Sequence, residues 1–263
     1  MLALEGRPEH IHTLISGVDR YNPSNVHLLE DYLQQQLAND QYDALANLAL
    51  LKLYQFNPAI LSPTAALSVL FLALAHAPFA PDFSLAWSLL SDSFVAGGAL
   101  PPPLPNSDDD DEDDSSPRGA AEPHGEKETA DRLLALSKLA QARKFREFWS
   151  LLRAGGEGEK EAEVKAGVAA LVRSAPAYEA RLQQSIAAEV ERSFRSIARP
   201  TLEVFLGATE SSQLDAIAQK RGWKVQERDV QLPQNDSNTP KASVTHERIE
   251  IEQLARLLGK SQA

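Results

Sequence analysis

The chain of 263 residues has no cysteine. Disulfides and thiolate-held metal sites are thereby excluded, and a reducing compartment is its natural setting. A long apolar run is missing too. The most apolar stretch, Ala65 to Ala75, is well short of the roughly 20 apolar residues that a membrane-spanning helix needs. The opening MLALEGRPEHIH carries Glu5, Arg7 and Glu9 where a secretion signal requires an unbroken apolar core. A cytoplasmic or nuclear protein is the expectation. Catalytic signatures are absent as well. There is no Gly-x-Ser-x-Gly string, and Gly97-Gly98 and Gly155-Gly156 lack the preceding strand of a phosphate-binding loop. His10 and His12 stand two apart, which puts them on different faces of a helix with no third ligand near. His27, His76, His124 and His246 are scattered. No catalytic residue, cofactor or metal site is expected.

What the chain has is acid. The net charge is −11, and seven of the negatives fall in one run, Asp108 to Asp114. That balance argues against nucleic-acid binding through bulk electrostatics, although the remainder leaves room for a local basic surface. The run lies inside Ala96 to Glu128, with Gly97-Gly98 and four prolines between Pro101 and Pro105. Low hydrophobicity and charge of one sign cannot offset the entropy of ordering, so this stretch reads as a disordered insert of a surface loop (97–128). It is either a solvated insertion or an acidic tether for a basic partner such as a ribosomal protein or a histone.

Elsewhere helical periodicity dominates. Ile11 to Val18 reads as a short helix. Asn22 can cap a second, with Pro23 in its first position and Val26, Leu29, Leu33 and Leu37 as its stripe. Gln41 to Pro58 carries Tyr42, Leu45, Ala46, Ala49, Leu53 and Phe56 on one face and Leu48, Leu50 and Leu51 on much of the other. A helix apolar nearly all round must be covered on two sides, so this one is expected at the middle of the stack. Ser62 caps and Pro63 opens a further helix to about His76, and Asp82 caps one with Phe83, Ala86, Trp87 and Leu90.

Helices resume near Thr129, with a bend at Ala142-Arg143-Lys144 before the aromatic cluster Phe145-Arg146-Glu147-Phe148-Trp149. Such helix–bend–helix units key one layer of a helical repeat into the next. No fixed period is measurable. A helix follows from about Lys160 to Ser174. The stripe Tyr178, Leu182, Ile186, Val190, Phe194, Ile197 predicts another to about Ala198, and Thr201 to Leu206 is a short apolar segment. Thr209 can cap a helix from Glu210 to Arg221, which Gly222 ends. Trp223 to Leu232 and Ser243 to Ile251 are candidate strands, with polar turn residues from Pro233 to Pro240 between them. Leu254, Leu257 and Leu258 mark a last helix. Helix, turn, helix, Gly-Trp, strand, loop, strand is the order of a winged helix.

The predicted architecture is mainly α. A right-handed, HEAT-like α-solenoid over 1–180 precedes a winged helix with a small antiparallel sheet and a C-terminal helix over 181–263. The winged helix is the unit with a ready functional reading. Its second helix bears Lys220 and Arg221 at one end but Glu210 and Asp215 at the other, and from Ala177 onward twelve basic residues balance twelve acidic ones. That is a weak phosphate footprint, so direct nucleic-acid binding is not expected and protein–protein assembly is the other use of the module.

Arg20-Tyr21-Asn22-Pro23 and Leu50-Leu51-Lys52-Leu53-Tyr54-Gln55-Phe56-Asn57-Pro58 resemble the characteristic strings of subunit k of eukaryotic translation initiation factor 3. The likeness continues through Phe145 to Trp149, Ser212-Gln213-Leu214 and Gly222-Trp223, and covers nearly the whole chain apart from the acidic insert. The resemblance implies the helical-repeat and winged-helix arrangement of the PCI scaffolds shared with the proteasome lid and the signalosome. It also implies a non-catalytic, cytoplasmic subunit of an assembly that binds the small ribosomal subunit, paired with subunit l. The insert and the Pro233 to Pro240 linker depart from the family pattern. The residues expected at a partner interface are Ile251, Leu254, Leu257 and Leu258, which could instead pack back on the chain's own winged helix. The competing functions are a winged-helix DNA-binding regulator and a scaffold of the proteasome-lid or signalosome type.

Overall fold

In the computed structural model, residues 6–91, 94–95, 124–153, 159–239 and 251 are described. Helix α1 (Glu9–Ser16) is followed by two 3-10 turns, Val18–Tyr21 and Pro23–Asn25. The predicted Asn22 cap forms: its side chain accepts from the Ser24 N–H at 3.0 Å. It opens a 3-10 turn, however, and α2 (Val26–Ala38) begins only afterwards. Helix α3 (Ala44–Phe56) is capped by Asp43, which accepts from the Ala46 N–H at 3.2 Å. Helix α4 (Pro63–His76) is capped as predicted, with Ser62 accepting from the Ala65 N–H at 3.3 Å and Pro63 in the first turn. Asp82 does not cap α5 (Asp82–Ser88) but is its first residue, and its carboxylate takes the Tyr42 hydroxyl at 2.9 Å.

The hub is α4, not α3 as the periodicity suggested. Every residue from Ala65 to Ala75 is buried, and α4 packs against α2, α3, α5, α6 (His124–Gln141), α8 (Glu159–Ser174) and α9 (Tyr178–Ser193). The difference is chemical. No charged residue interrupts α4 between Pro63 and His76, whereas α3 carries Lys52 mid-length, and an ammonium is costly to enclose without a partner. So α3 buries Ala46, Leu50, Leu51, Leu53 and Tyr54, and turns Leu45 and Phe56 outward.

Buried polar groups pin α2 to α3. The Gln36 carbonyl accepts from the Asp43 N–H at 2.7 Å and from Asn47 Nδ2 at 3.1 Å, and Gln36 Nε2 donates to Asn47 Oδ1 at 2.9 Å. Asp43 also receives Arg7 Nε and Nη2, at 2.5 and 2.7 Å, and the Tyr32 hydroxyl. Helix α6 starts at His124, earlier than the predicted Thr129; Thr129 is buried and donates to the Gly125 carbonyl at 2.6 Å. The rest of the predicted insert, 97–123, lies outside the described residues. Arg143 takes φ +57° in the predicted bend before α7 (Phe145–Arg153).

Helix α9 ends at Ser193, not near Ala198. Phe194 is extended and Ser196–Ala198 form strand β1. Phe194 and Ile197 fitted the helical stripe by spacing alone; here Ile197 is the buried centre of a strand and pairs with Val230. Helix α10 (Arg199–Leu206) and helix α11 (Ser211–Arg221) follow, the first being the segment read only as apolar. The stretch from Trp223 to Leu232, expected as one strand, is a hairpin of β2 (Lys224–Val225) and β3 (Asp229–Gln231). One isolated strand would leave its backbone unpaired, whereas folding back satisfies it. The sheet is antiparallel with order β1-β3-β2. Among the described residues the fold is therefore helical up to Ser193 and forms a winged helix from there to Gln231. One buried cluster runs from Ile11 to Leu232.

Candidate interaction surfaces

The winged helix is seated on the helical array by the Phe145–Trp149 cluster. Phe145, Phe148 and Trp149 are buried on α7, and Phe145 meets the Phe205 ring edge-on at 5.4 Å. Trp149 Nε1 donates to the Phe205 carbonyl at 2.9 Å, and Arg153 lies over the Trp149 ring while donating to the Gly207 carbonyl at 2.8 Å. Gly207 is required twice. It has φ +62°, and a Cβ there would stand 2.4 Å from the indole. From α9, Tyr178 stacks on Phe71 of α4 at 4.0 Å.

On the outer side of the winged helix, the helix that would enter a DNA groove is α11. Its two cations are not equivalent. Arg221 is held by Glu191 at 2.8 Å and by the Gln184 carbonyl at 2.8 Å, and Glu191 also takes Trp223 Nε1 at 2.6 Å. Asp215 pairs with Arg199 at 3.2 Å. Lys220 is left as the exposed cation of this helix. The residues after β3 are no slack linker up to Thr239. Asn238 is buried and donates to the carbonyls of Glu191, Phe194 and Pro233, and Asn235 Nδ2 donates to Glu191 O at 2.8 Å. They close the C-terminal end of α9, whose last carbonyls need such donors.

Of the four residues expected at the partner interface, Ile251 is described. It is helical, not in a strand, and 84% exposed. Leu254, Leu257 and Leu258 lie outside the described residues.

Near the start of the chain, sequence reasoning missed a surface. The turn Val18–Tyr21 and α3 enclose, with Leu89, a groove of about 400 Å³. Ile15, Leu48, Ala49 and Leu89 are among its apolar walls. Val18, Tyr21, Leu45 and Phe56 are 83%, 45%, 42% and 58% exposed. Tyr21 and Phe56 meet edge-on at 5.8 Å, with the Arg20 guanidinium and the Lys52 ammonium each 4.8 Å from a ring centroid. The signal was in the sequence: Leu45, Ala49, Lys52 and Phe56 share one helix face, and the lysine at its centre marks that face as open.

Shifted ionisations are structural in cause. Burial, then Asp43, pushes the Tyr32 hydroxyl up to about 12. Burial first, with carboxylate neighbours after it, raises Tyr42, Tyr54 and Tyr178 further. Burial, then Arg181, lowers His76 despite Asp40 nearby. No cluster able to hold a metal ion occurs among the described residues. No helix among them is long and apolar enough to cross a membrane.

A helical array with a docked winged helix and open apolar surfaces is the arrangement of a helical-repeat protein with a winged-helix domain. Residues 62–244 match the CSN8/PSMD8/EIF3K family. The chain is 37% identical to eukaryotic translation initiation factor 3 subunit K of Mycosarcoma maydis, over 98% of its own length and 93% of the relative's. Identity to subunit K of Phaeosphaeria nodorum is 30% (97% and 94%), and to that of Cryptococcus neoformans var. neoformans serotype D 31% (96% and 91%). The chain belongs to the CSN8/PSMD8/EIF3K family, in its initiation factor 3 subunit K branch.

Proposed function

We propose that this chain is a non-catalytic scaffold subunit of translation initiation factor 3, acting in the cytoplasm through protein–protein contacts. It supports assembly of the pre-initiation complex on the small ribosomal subunit, with subunit l as its immediate neighbour. The observation that carries the reading is end-to-end similarity to relatives named as subunit K. The exposed apolar side chains Val18, Tyr21, Leu45, Phe56 and Ile251 support it. A DNA-reading role is disfavoured, because Arg221 is occupied by Glu191 and Gln184. The division of labour we propose is a helical-repeat unit over 1–180 and a winged-helix unit over 181–263.

In this reading Ile251, Leu254, Leu257 and Leu258 join a helical bundle with neighbouring subunits. Burying one such side chain is worth roughly 1.5–3 kcal/mol. The test is a Leu254→Asp, Leu258→Asp double variant of the tagged full-length chain. Its circular dichroism should match the parent, while recovery of the other factor subunits falls. Unchanged recovery would remove the C-terminal segment from the interface.

A further inference from the structure

We infer that the groove between the Val18–Tyr21 turn and α3 is a second docking site, whose occupant is an amphipathic helix of a neighbouring polypeptide carrying acidic residues beside its apolar stripe. The inference rests on the scaffold reading above and concerns a different end of the molecule.

Three observations define the occupant. The first is the unfinished end of the array. Stacked helical repeats need a polar outer face on their terminal layer to stay soluble. The outer face of this first layer instead presents Val18, Tyr21, Leu45 and Phe56. Apolar residues converging on a groove mark an interaction surface, and aromatic side chains at its edge are the type that dominates binding energy.

The second is charge. Among the described residues, the groove lining contains Arg7, His12, Arg20 and Lys52 and no carboxylate. Arg7 is spent on Asp43. Arg20 donates to the Ile15 carbonyl at 3.4 Å and Lys52 to the Gln55 amide oxygen at 2.7 Å, and neither meets a carboxylate among the described residues. His12 Nδ1 is buried without a hydrogen-bond partner. Two cations with no carboxylate partner among the described residues flank the aromatic pair in a chain of net charge −11. Acidic side chains on the occupant would complement them, fixing its register and suppressing basic competitors.

The third is backbone chemistry. The groove is walled by helices and a helical turn, whose N–H and C=O groups are largely paired within themselves. Among the described residues it offers no strand edge to extend. An extended peptide laid across Leu45, Leu48 and Leu89 would leave its own backbone unsatisfied. A helix satisfies its backbone internally and presents apolar residues at i, i+3, i+4 and i+7. Aliphatic walls and, among the described residues, two cations without a carboxylate partner also suit a protein better than RNA, which would need more phosphate contacts. The two strings Arg20–Pro23 and Leu50–Pro58 thus divide their labour. Leu50, Leu51, Leu53 and Tyr54 build the core, while Arg20, Tyr21 and Lys52 line the groove and Phe56 packs against Tyr21 and Lys52 at its edge.

The experiment places the photoreactive residue of a Phe56→benzoylphenylalanine variant in the full-length chain, purified within the assembled factor and irradiated. The expected product is a cross-link to another polypeptide, within a segment of helical apolar spacing bearing Asp or Glu. An Arg20→Glu, Lys52→Glu double variant should lower its yield about tenfold, whereas Arg20→Lys, Lys52→Arg should retain it. Circular dichroism of each variant checks the fold. A cross-link to RNA, to this chain's own residues 97–123, to a basic or non-helical segment, or to nothing would overturn the proposal. So would a yield unmoved by charge reversal. Failure of the chain to enter the factor at all would instead strike the scaffold reading.

Discussion

Replacing Gly207 with alanine tests how the winged helix is seated. Two separate penalties meet at that residue. Its φ of +62° is left-handed, where an added Cβ crowds the following carbonyl and costs about 1–2 kcal/mol. The same Cβ would stand 2.4, 2.5 and 2.8 Å from three atoms of the Trp149 indole. Trp149 cannot retreat freely, because its Nε1 is tied to the Phe205 carbonyl and Arg153 covers its ring. Overpacking of that kind adds about 1–3 kcal/mol. Gly222 supplies the control within the same chain. It has φ +69°, but nothing lies within 4 Å of its Cβ position, so Gly222→Ala should carry the backbone penalty alone. Urea denaturation of the full-length chain followed by circular dichroism should therefore place Gly207→Ala below Gly222→Ala by about 1–3 kcal/mol. Adding Trp149→Leu should shrink that gap, since residues in contact are not additive. Equal losses for the two alanine variants, with or without Trp149, would refute the described junction.

Other consequences follow from the buried polar groups. Asp43→Ala strands the Arg7 guanidinium, which is 4% exposed, and should destabilise the chain by about 3–5 kcal/mol in thermal or chemical unfolding. Gln36→Leu leaves the Asp43 N–H and the Asn47 amide without partners and should cost about 1–3 kcal/mol. Tyr32 has a folded pKa raised from 10.0 to about 12, so its contribution is whole below pH 10 and is lost as the pH rises through about 12. Tyr32→Phe should accordingly flatten the alkaline arm of a stability–pH curve. His76 has a lowered pKa, so its contribution is present above 6.5 and fades as the pH falls through the folded value. His76→Gln should lessen the loss of stability on mild acidification.

Much of the fold was legible because caps and breakers act locally. Ser62-Pro63, the bend at Arg143 and Gly222 after Arg221 each specify backbone geometry within a few residues, and each occurs where the sequence put it. What failed was long-range. Phe194 and Ile197 continue a helical stripe on spacing alone; only pairing with Val230 decides that Ile197 belongs to a strand. The β2–β3 hairpin was hidden for the same reason, because its residues alternate like a single strand. Periodicity alone suggests α3 as the hub, but Lys52 keeps one of its faces open whereas α4 has no charged residue before His76. The groove beside α3 lies on that same open face. The resemblance named the class correctly because Arg20–Pro23 and Leu50–Pro58 are distinctive strings, but it could not say which of their residues face outward.

The scaffold account is tested most directly by sedimenting a tagged copy of the chain through a gradient from translationally active cell extract. The account predicts that the tag travels with the other initiation factor 3 subunits and with the small ribosomal subunit, and that the Leu254→Asp, Leu258→Asp variant shifts toward the free fractions. A tag found only as free monomer, with the rest of the factor sedimenting without it, would contradict the account.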